Sequence, residues 1–391
     1  MELKNNLKII SVVGARPNFM KIAPFVKAVD AFNKKQGIKP KVDHILVHTG
    51  QHYDDRMSKK FFEDLGIPEA DINLGIGSGS HAEQVGHTMI AFEQVLREEK
   101  PDWVVVVGDV NATLACSVTA KKEWIKCCHI EAGLRSGDIR MPEEVNRLVT
   151  DKLSDLLLTP DLMSSKNLLD EGANPERVKF VGNIMIDTLE ANRLIAEKLS
   201  PQQIVIDNNL KDKSVNEIND EKYAVVTLHR PSNVDDETVL TNLISFINDF
   251  VSKELTVIWP IHPRTFKNLQ QFGLSDKLES NPQIYLTHSI GYHEMLRLNM
   301  GAKLMLTDSG GLQEECTVLG TPCLTLRWNT ERPVTLVENG GASILVGNNI
   351  GRIRSEFEQI KSQVRAPKRP ALWDGQTSIR CLAEIIKASI A

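Results

Sequence analysis

Lys303-Leu304-Met305-Leu306-Thr307-Asp308-Ser309-Gly310-Gly311-Leu312-Gln313-Glu314-Glu315 is the stretch that decides the fold class of this 391-residue chain. Its first half is a short apolar run, long enough for one buried strand. Its second half continues in helix formers through Leu319 and stops at Gly320-Thr321-Pro322. Ser309-Gly310-Gly311 between them predicts a strand-to-helix turn whose glycines allow positive φ and close backbone approach. The amides that open such a helix lack intrahelical partners, so with the helix dipole they attract an anion such as phosphate. An ordinary turn without a ligand would read the same way in isolation, and the surrounding chain has to decide.

Outward from that stretch the second half of the chain repeats the same alternation. Tyr223 to Leu228 reads as a strand ending in His229-Arg230-Pro231, where His229 could donate to a phosphate or act as an acid. Leu255 to Trp259 leads into Pro260-Ile261-His262-Pro263-Arg264, and Ile284 to Leu286 into Thr287-His288-Ser289. Cys323 to Arg327 ends in Trp328-Asn329-Thr330-Glu331-Arg332-Pro333, and Ala342 to Val346 supplies a last short strand. Helices begin near Arg352 and Ser378.

The first half alternates likewise. Leu7 to Val13 predicts a strand closed by Gly14-Ala15-Arg16-Pro17, with a helix following that places Arg16 and Lys21 where both could reach an anion. Val42 to His48 ends in Thr49-Gly50-Gln51-His52-Tyr53. Ser80 is a plausible N-cap for a helix from His81 to Glu98. Trp103 to Val107 is the clearest buried parallel strand, closed by Gly108-Asp109. Asp109 could N-cap the next helix or serve chemistry, and the two roles are compatible. Cys127 to Ile130 carries Glu131 at its end, so two acids terminate consecutive strands on one sheet edge and could divide general acid and base work. Pro142-Glu143-Glu144 then opens a helix. Dipole complementarity explains one of these glutamates, and Glu143 is the candidate because it adjoins the loop carrying Glu131.

The fold expected from this alternation is α/β, with two doubly wound, Rossmann-like domains, 1–182 and 183–375, and 200–221 as a surface connection. Polar residues at strand carboxyl ends in both domains predict a ligand held where the domains face each other. A helix N-terminus with cations on one side and acids on the other suits a nucleotide diphosphate carrying a reactive group.

Composition narrows the class. Hydrophobic content of 41% and charged content of 25% are ordinary for a globular protein. The formal charge of -5 and the lack of a Lys/Arg cluster argue against nucleic-acid binding. No apolar stretch approaches the roughly 20 residues that span a membrane, and the N-terminus does not resemble a signal peptide. The six cysteines form no C-x-x-C pair and read as buried or free thiols in a reducing compartment. A cytoplasmic protein follows. No G-x-G-x-x-G follows a strand, which counts against a nicotinamide-dependent dehydrogenase.

Taken together, these motifs resemble the non-hydrolysing UDP-N-acetylglucosamine 2-epimerases. The matching stretches are Gly14-Ala15-Arg16-Pro17, Gly108-Asp109, His129 to Arg135 and Pro142 to Arg147 in the first half. In the second they are His229-Arg230, Asp308 to Glu315 and Thr330 to Pro333. The resemblance implies a glycosyltransferase-B-type fold, with the final helix, 376–391, crossing back to the first domain. It implies that Arg16, Lys21, His229, Ser309, Gly310, Gly311, Glu315 and Arg332 hold the UDP portion. Asp109, Glu131 and Glu143 become the acids near the sugar, with His229 counted beside them as a candidate for catalysis. The implied reaction removes the C2 proton and expels UDP to give 2-acetamidoglucal, then re-adds UDP after protonation from the opposite face. The alternatives are a hydrolysing 2-epimerase that releases UDP and N-acetylmannosamine, and a UDP-sugar glycosyltransferase of the same fold. No metal or redox cofactor is implied, and the partners implied are a UDP-sugar and a second copy of the chain. Gln51, His52 and His262 are candidates for a second, activating substrate site. The chain departs from the family pattern at Asn18, Met141, Pro231 and Met295, where Glu, Trp, Arg and an aromatic residue are usual.

Overall fold

The computed structural model describes residues 6–37, 39–50, 65–66, 69–211 and 213–390. Gln51 and His52 lie outside them, as do the side chains of Arg16 and Pro17. The chain divides into two compact units, Met1–Thr188 with Ala371–Ala391, and Leu189–Pro370.

Among the described residues the first unit carries seven parallel strands: β1 (Asn6–Val13), β2 (Lys41–His48), β3 (Ile72–Asn73), β4 (Trp103–Val107), β5 (Lys126–Ile130), β6 (Leu156–Thr159) and β7 (Val178–Phe180). Their order in the sheet is β3-β2-β1-β4-β5-β6-β7. Helices fill the crossovers, so both faces of the central strands are covered, and every residue of β4 is buried. That is why β4 reads as an unbroken Trp-Val-Val-Val-Val run rather than an alternating one. Strand order reverses between β1 and β4, where the register pairs Ser11 with Val105.

The second unit has strands β8 (Tyr223–Thr227), β9 (Thr256–Pro260), β10 (Ile284–Thr287), β11 (Leu304–Thr307), β12 (Cys323–Thr325) and β13 (Ser343–Leu345), all parallel, in the order β10-β9-β8-β11-β12-β13. Its reversal lies between β8 and β11, where Thr227 pairs with Thr307. In open α/β sheets the crevice at such a reversal, past the strand carboxyl ends, is where ligands bind. Each unit therefore offers one such crevice, and the candidate motifs follow the strands that flank it.

Three local readings change. The 200–221 segment is not a bare connection. Ser200 accepts from the Gln203 amide at 3.3 Å and caps a helix, Pro201–Asn208, whose Ile204 and Val205 pack with Tyr223, Val225 and Tyr285. Three consecutive apolar residues, Ile204 to Ile206, in a polar stretch show no helical period, although Ser-Pro is a helix-start signal. Asp109 does not cap the Asn111–Lys122 helix, whose N-cap is Val110 with no side-chain bond. The division between units falls past Gly182, inside the Ile184–Ala196 helix, because Asp187 is tied to the end of the chain.

That tie is specific. The Asp187 carboxylate accepts from the amides of Thr377 at 2.9 Å and Ser378 at 2.7 Å, capping the final helix, Thr377–Ile390. The helix lies against Arg16–Asn33 and buries Cys381, Leu382 and Ile385. Just before it, the fully buried Trp373 donates from Nε1 to the Pro160 carbonyl at 2.9 Å. All six cysteines are buried and unbridged.

Candidate active site

At the first reversal the turn after β1 is organised by Asn18. Its Oδ1 accepts from the amides of Gly14 at 3.3 Å and Ala15 at 3.1 Å, and its Nδ2 donates to the Val107 carbonyl at 2.7 Å. One buried amide thus joins the ends of β1 and β4. A glutamate could not donate to Val107, so the departure at this position has a structural role of its own. Arg16 is the first residue of the helix that follows.

Lys21, one turn further along, is buried and forms an ion pair with Glu131 Oε2. Glu131 sits at φ +72, a left-handed conformation uncommon for glutamate and typical of strained functional turns. Gly108, at φ +68, lies over the pair, and a Cβ there would stand 3.0 Å from Lys21 Nζ and 3.4 Å from Glu131 Oε2. Glu131 Oε1 is buried with no hydrogen-bond partner among the described residues. A buried acceptor left open is uncommon in a folded chain.

Asp109 follows Gly108, and its Oδ2 pairs with Arg147. Arg147 also donates from Nε to Glu144 Oε2 at 3.0 Å. Glu144 in turn accepts from the Ser136 amide at 3.0 Å, the Ser136 hydroxyl at 2.9 Å and the Gly137 amide at 3.0 Å. Burial would raise the Glu144 carboxyl, but Ser136 and Arg147 outweigh it and hold it below its ordinary value. Glu143 is half-buried, with no hydrogen bond or ion pair among the described residues.

Beneath these acids lies a second network. His129 Nδ1 is 2.6 Å from Asp151 Oδ1, and Nε2 is 2.8 Å from the Gly108 carbonyl. Asp151 Oδ2 accepts from the Gly133 amide at 3.0 Å and from Arg135 at 2.7 Å. Burial opposes its charge, yet His129 and Arg135 bring the Asp151 carboxyl below the usual range. The pair therefore ties the loop carrying Asp109 to the loop carrying Glu131.

At the second reversal the organising group is Asp308, fully buried at the end of β11. It accepts from the amides of His229 at 3.0 Å and Arg230 at 2.9 Å, from Asn233 Nδ2 at 3.1 Å, and lies 2.8 Å from His229 Nδ1. Burial would raise the Asp308 carboxyl, and these bonds from His229, Arg230 and Asn233 keep it low instead. The next residue, Ser309, is the N-cap of the Gly310–Leu319 helix and makes no side-chain cap bond, so the first amides there remain open to an anion.

Gly310 is pressed against Arg332: a Cβ would lie 2.7 Å from its NH1 and 2.8 Å from Glu331 Oε1. Arg332 is buried, donating to Glu314 at 2.8 Å and pairing with Glu331, which Arg327 also engages at 2.6 Å. The guanidinium underpins the turn with its charge already matched by two carboxylates. Glu315 is fully buried, and burial lifts its carboxyl to about 7 against the opposing influence of Tyr292 and Asn299. His262 caps the Pro263–Gln271 helix, accepting from the Arg264 amide at 3.2 Å, and its ring centroid lies 5.7 Å from that of His229.

The structure thus groups Lys21, Asp109 and Glu131 at one reversal, and His229, Ser309, Gly310, Gly311 and Arg332 at the other. Sequence reading missed Arg147, Glu144, His129 and Asp151. A signal was present: Glu144, Arg147 and Asp151 fall at i, i+3 and i+7, one helical face, and charges are buried on one face only when paired.

Residues 34–387 match the model of the family described as UDP-N-acetylglucosamine 2-epimerase. The chain belongs to this family. It is 43% identical over 365 residues to a UDP-N-acetylglucosamine 2-epimerase of Methanococcus maripaludis, covering 93% of this chain and 94% of the relative. It is 38% identical over 343 residues to a UDP-2,3-diacetamido-2,3-dideoxy-D-glucuronate 2-epimerase of Pseudomonas aeruginosa, covering 87% and 88%. A crystal structure of the Methanocaldococcus jannaschii UDP-GlcNAc 2-epimerase, in complex with UDP-GlcNAc and UDP, superposes with a TM-score of 0.86 at 40% identity. That comparison covers 98% of this chain and 100% of the other. The doubly wound units, of the glycosyltransferase-B type, are those of the epimerase family. Among the described residues no helix is long and apolar enough to cross a membrane.

Proposed function

We propose that this protein interconverts UDP-N-acetylglucosamine and UDP-N-acetylmannosamine without net hydrolysis. The observation that carries the reading is Glu131, buried on Lys21 with one oxygen unpartnered, next to Asp109 at a sheet reversal. The C2–H of the sugar is weakly acidic and needs a positioned base, which the group Asp109, Glu131 and Glu143 supplies. As C2 loses its proton, the C1–O bond breaks, its electron pair leaves with UDP, and a C1=C2 double bond forms in 2-acetamidoglucal. A proton from a solvent-exchanged acid adds to the opposite face of C2, and a UDP oxygen re-forms the bond to C1. The open amides of the Gly310–Leu319 helix, with His229 held by Asp308, stabilise the diphosphate while it carries the leaving charge. Lys21 holds Glu131 in place through their ion pair, and Arg332 supports the Gly310 turn from below.

The test is incubation with UDP-N-acetylglucosamine in deuterated water, followed by proton and phosphorus NMR. UDP-N-acetylmannosamine bearing deuterium at C2, with UDP still attached at equilibrium, is the expected result. Free UDP and free N-acetylmannosamine in equal amounts would replace re-addition by water attack at C1. No exchange at C2 would sink epimerisation of this substrate and direct the assay to the diacetamido uronate named for the Pseudomonas relative.

A further inference from the structure

We infer that Arg147 is the positioning residue for Asp109, fixing which oxygen of that carboxylate is presented to the sugar; this rests on the reaction proposed above. Asp109 needs such a device. It follows a glycine at φ +68 and does not cap the helix after it, so neither its backbone nor a capping bond sets its side chain. What reaches it comes from one face of the Pro142–Leu153 helix. Asn146 Nδ2 donates to the Asp109 carbonyl at 2.8 Å, and Arg147 NH1 takes the carboxylate at Oδ2. Asp109 Oδ1 has no hydrogen bond among the described residues, and the side chain keeps 22% of its surface exposed. The clamp therefore occupies one oxygen and leaves the other open.

The other end of the clamp is anchored. Arg147 is 1% exposed, and its Nε and NH2 both engage Glu144 Oε2. Glu144 is itself held by the two amides and the hydroxyl of the 136–137 loop. A planar guanidinium can bridge two carboxylates in fixed geometry; a lysine ammonium at this position would hold one or the other. Glu144 is thus the anchor and Glu143, its half-buried neighbour, stays unengaged.

A double-mutant cycle on the full-length protein tests this, with Arg147→Lys, Asp109→Asn and the pair assayed for kcat, KM, UDP affinity and thermal midpoint. Misplacing a reacting group by about 1 Å costs roughly 10²-fold, so Arg147→Lys should lower kcat by about that factor while KM and UDP affinity stay near wild type. In the Asp109→Asn background the same change should cost little more, because the group it positions is already lost. Should Arg147→Lys fail to fold, Glu144→Gln weakens the anchor instead and should show a smaller kcat loss with the same dependence on Asp109. Wild-type kcat in these variants, a loss appearing in KM alone, or losses that multiply in full with Asp109→Asn would overturn the inference while leaving the epimerase reading standing. A wild-type protein that turns over no UDP-sugar would remove both.

Discussion

Lys21 and Glu131, which arise from different segments of the first unit, are each other's ion-pair partner, buried directly below Gly108. Sequence reading gave them separate work, one as a phosphate-reaching cation and the other as an acid near the sugar. The pairing means that neither charge is isolated in the interior, where an unpaired ion is costly.

Replacing either partner should therefore cost stability, and replacing Glu131 tests the chemistry as well. Lys21→Met leaves Glu131 buried without a counter-charge, and breaking a buried pair in this way costs about 3–5 kcal/mol. Glu131→Gln keeps the shape but leaves the buried Lys21 ammonium without its counter-charge, so it should cost stability on the same scale. Turnover should also drop by roughly 10²- to 10⁴-fold if the carboxylate moves the proton. Denaturant unfolding and C2 deuterium exchange, measured on both variants, separate the two effects. Equal destabilisation with retained exchange in Glu131→Gln would make the pair structural.

Gly310→Ala tests the helix start at the second reversal. The added Cβ would meet Arg332 NH1 at 2.7 Å and Glu331 Oε1 at 2.8 Å, both locked in buried pairs that cannot yield easily. Overpacking of this kind costs about 1–3 kcal/mol. Displacement of the turn should also weaken UDP binding, read by calorimetry. UDP affinity equal to wild type in a folded Gly310→Ala protein would move the diphosphate away from this helix.

Asp187→Ala should loosen the end of the chain. Its carboxylate caps the final helix through Thr377 and Ser378, and loss of such a cap costs about 0.5–2 kcal/mol. Asp187→Asn keeps an acceptor and should lose less. Limited proteolysis read by mass spectrometry should show early cleavage near the Thr377–Ile390 helix in the alanine variant only. Unchanged cleavage in both would assign the docking to Trp373 and the apolar face of the helix.

Much of this was legible because parallel strands announce themselves. Trp103–Val107 and Leu304–Thr307 are unbroken apolar runs closed by glycine and acid, and the turns that follow carry Asp109 and Gly310 in plain view. Residues that act through another residue were harder to find. Arg147 and Asp151 sit on a helix whose buried residues are all polar while Val145 is exposed, so hydrophobic periodicity points to the wrong face. Only the pairing of Arg147 with Asp109, 38 residues earlier, distinguishes it from a solvated arginine. The same holds for Arg332, which reads as a cation free for phosphate until Glu314 and Glu331 are seen on either side of it.

Glu315 predicts a pH dependence of stability that runs opposite to the usual carboxylate case. Its ordinary value is 4.5, and burial raises it to about 7 in the folded chain. Between those values the native state holds a proton that the unfolded chain has released, so stability contributed here falls as pH rises from 4.5 towards 7. The full difference is on the order of 3 kcal/mol. Glu315→Gln is isosteric and neutral at every pH. Denaturant unfolding of wild type and variant from about pH 5 to about pH 8 should show the variant gaining relative stability as pH rises. Parallel curves over that range would mean that Glu315 is solvated or charge-paired in the native protein.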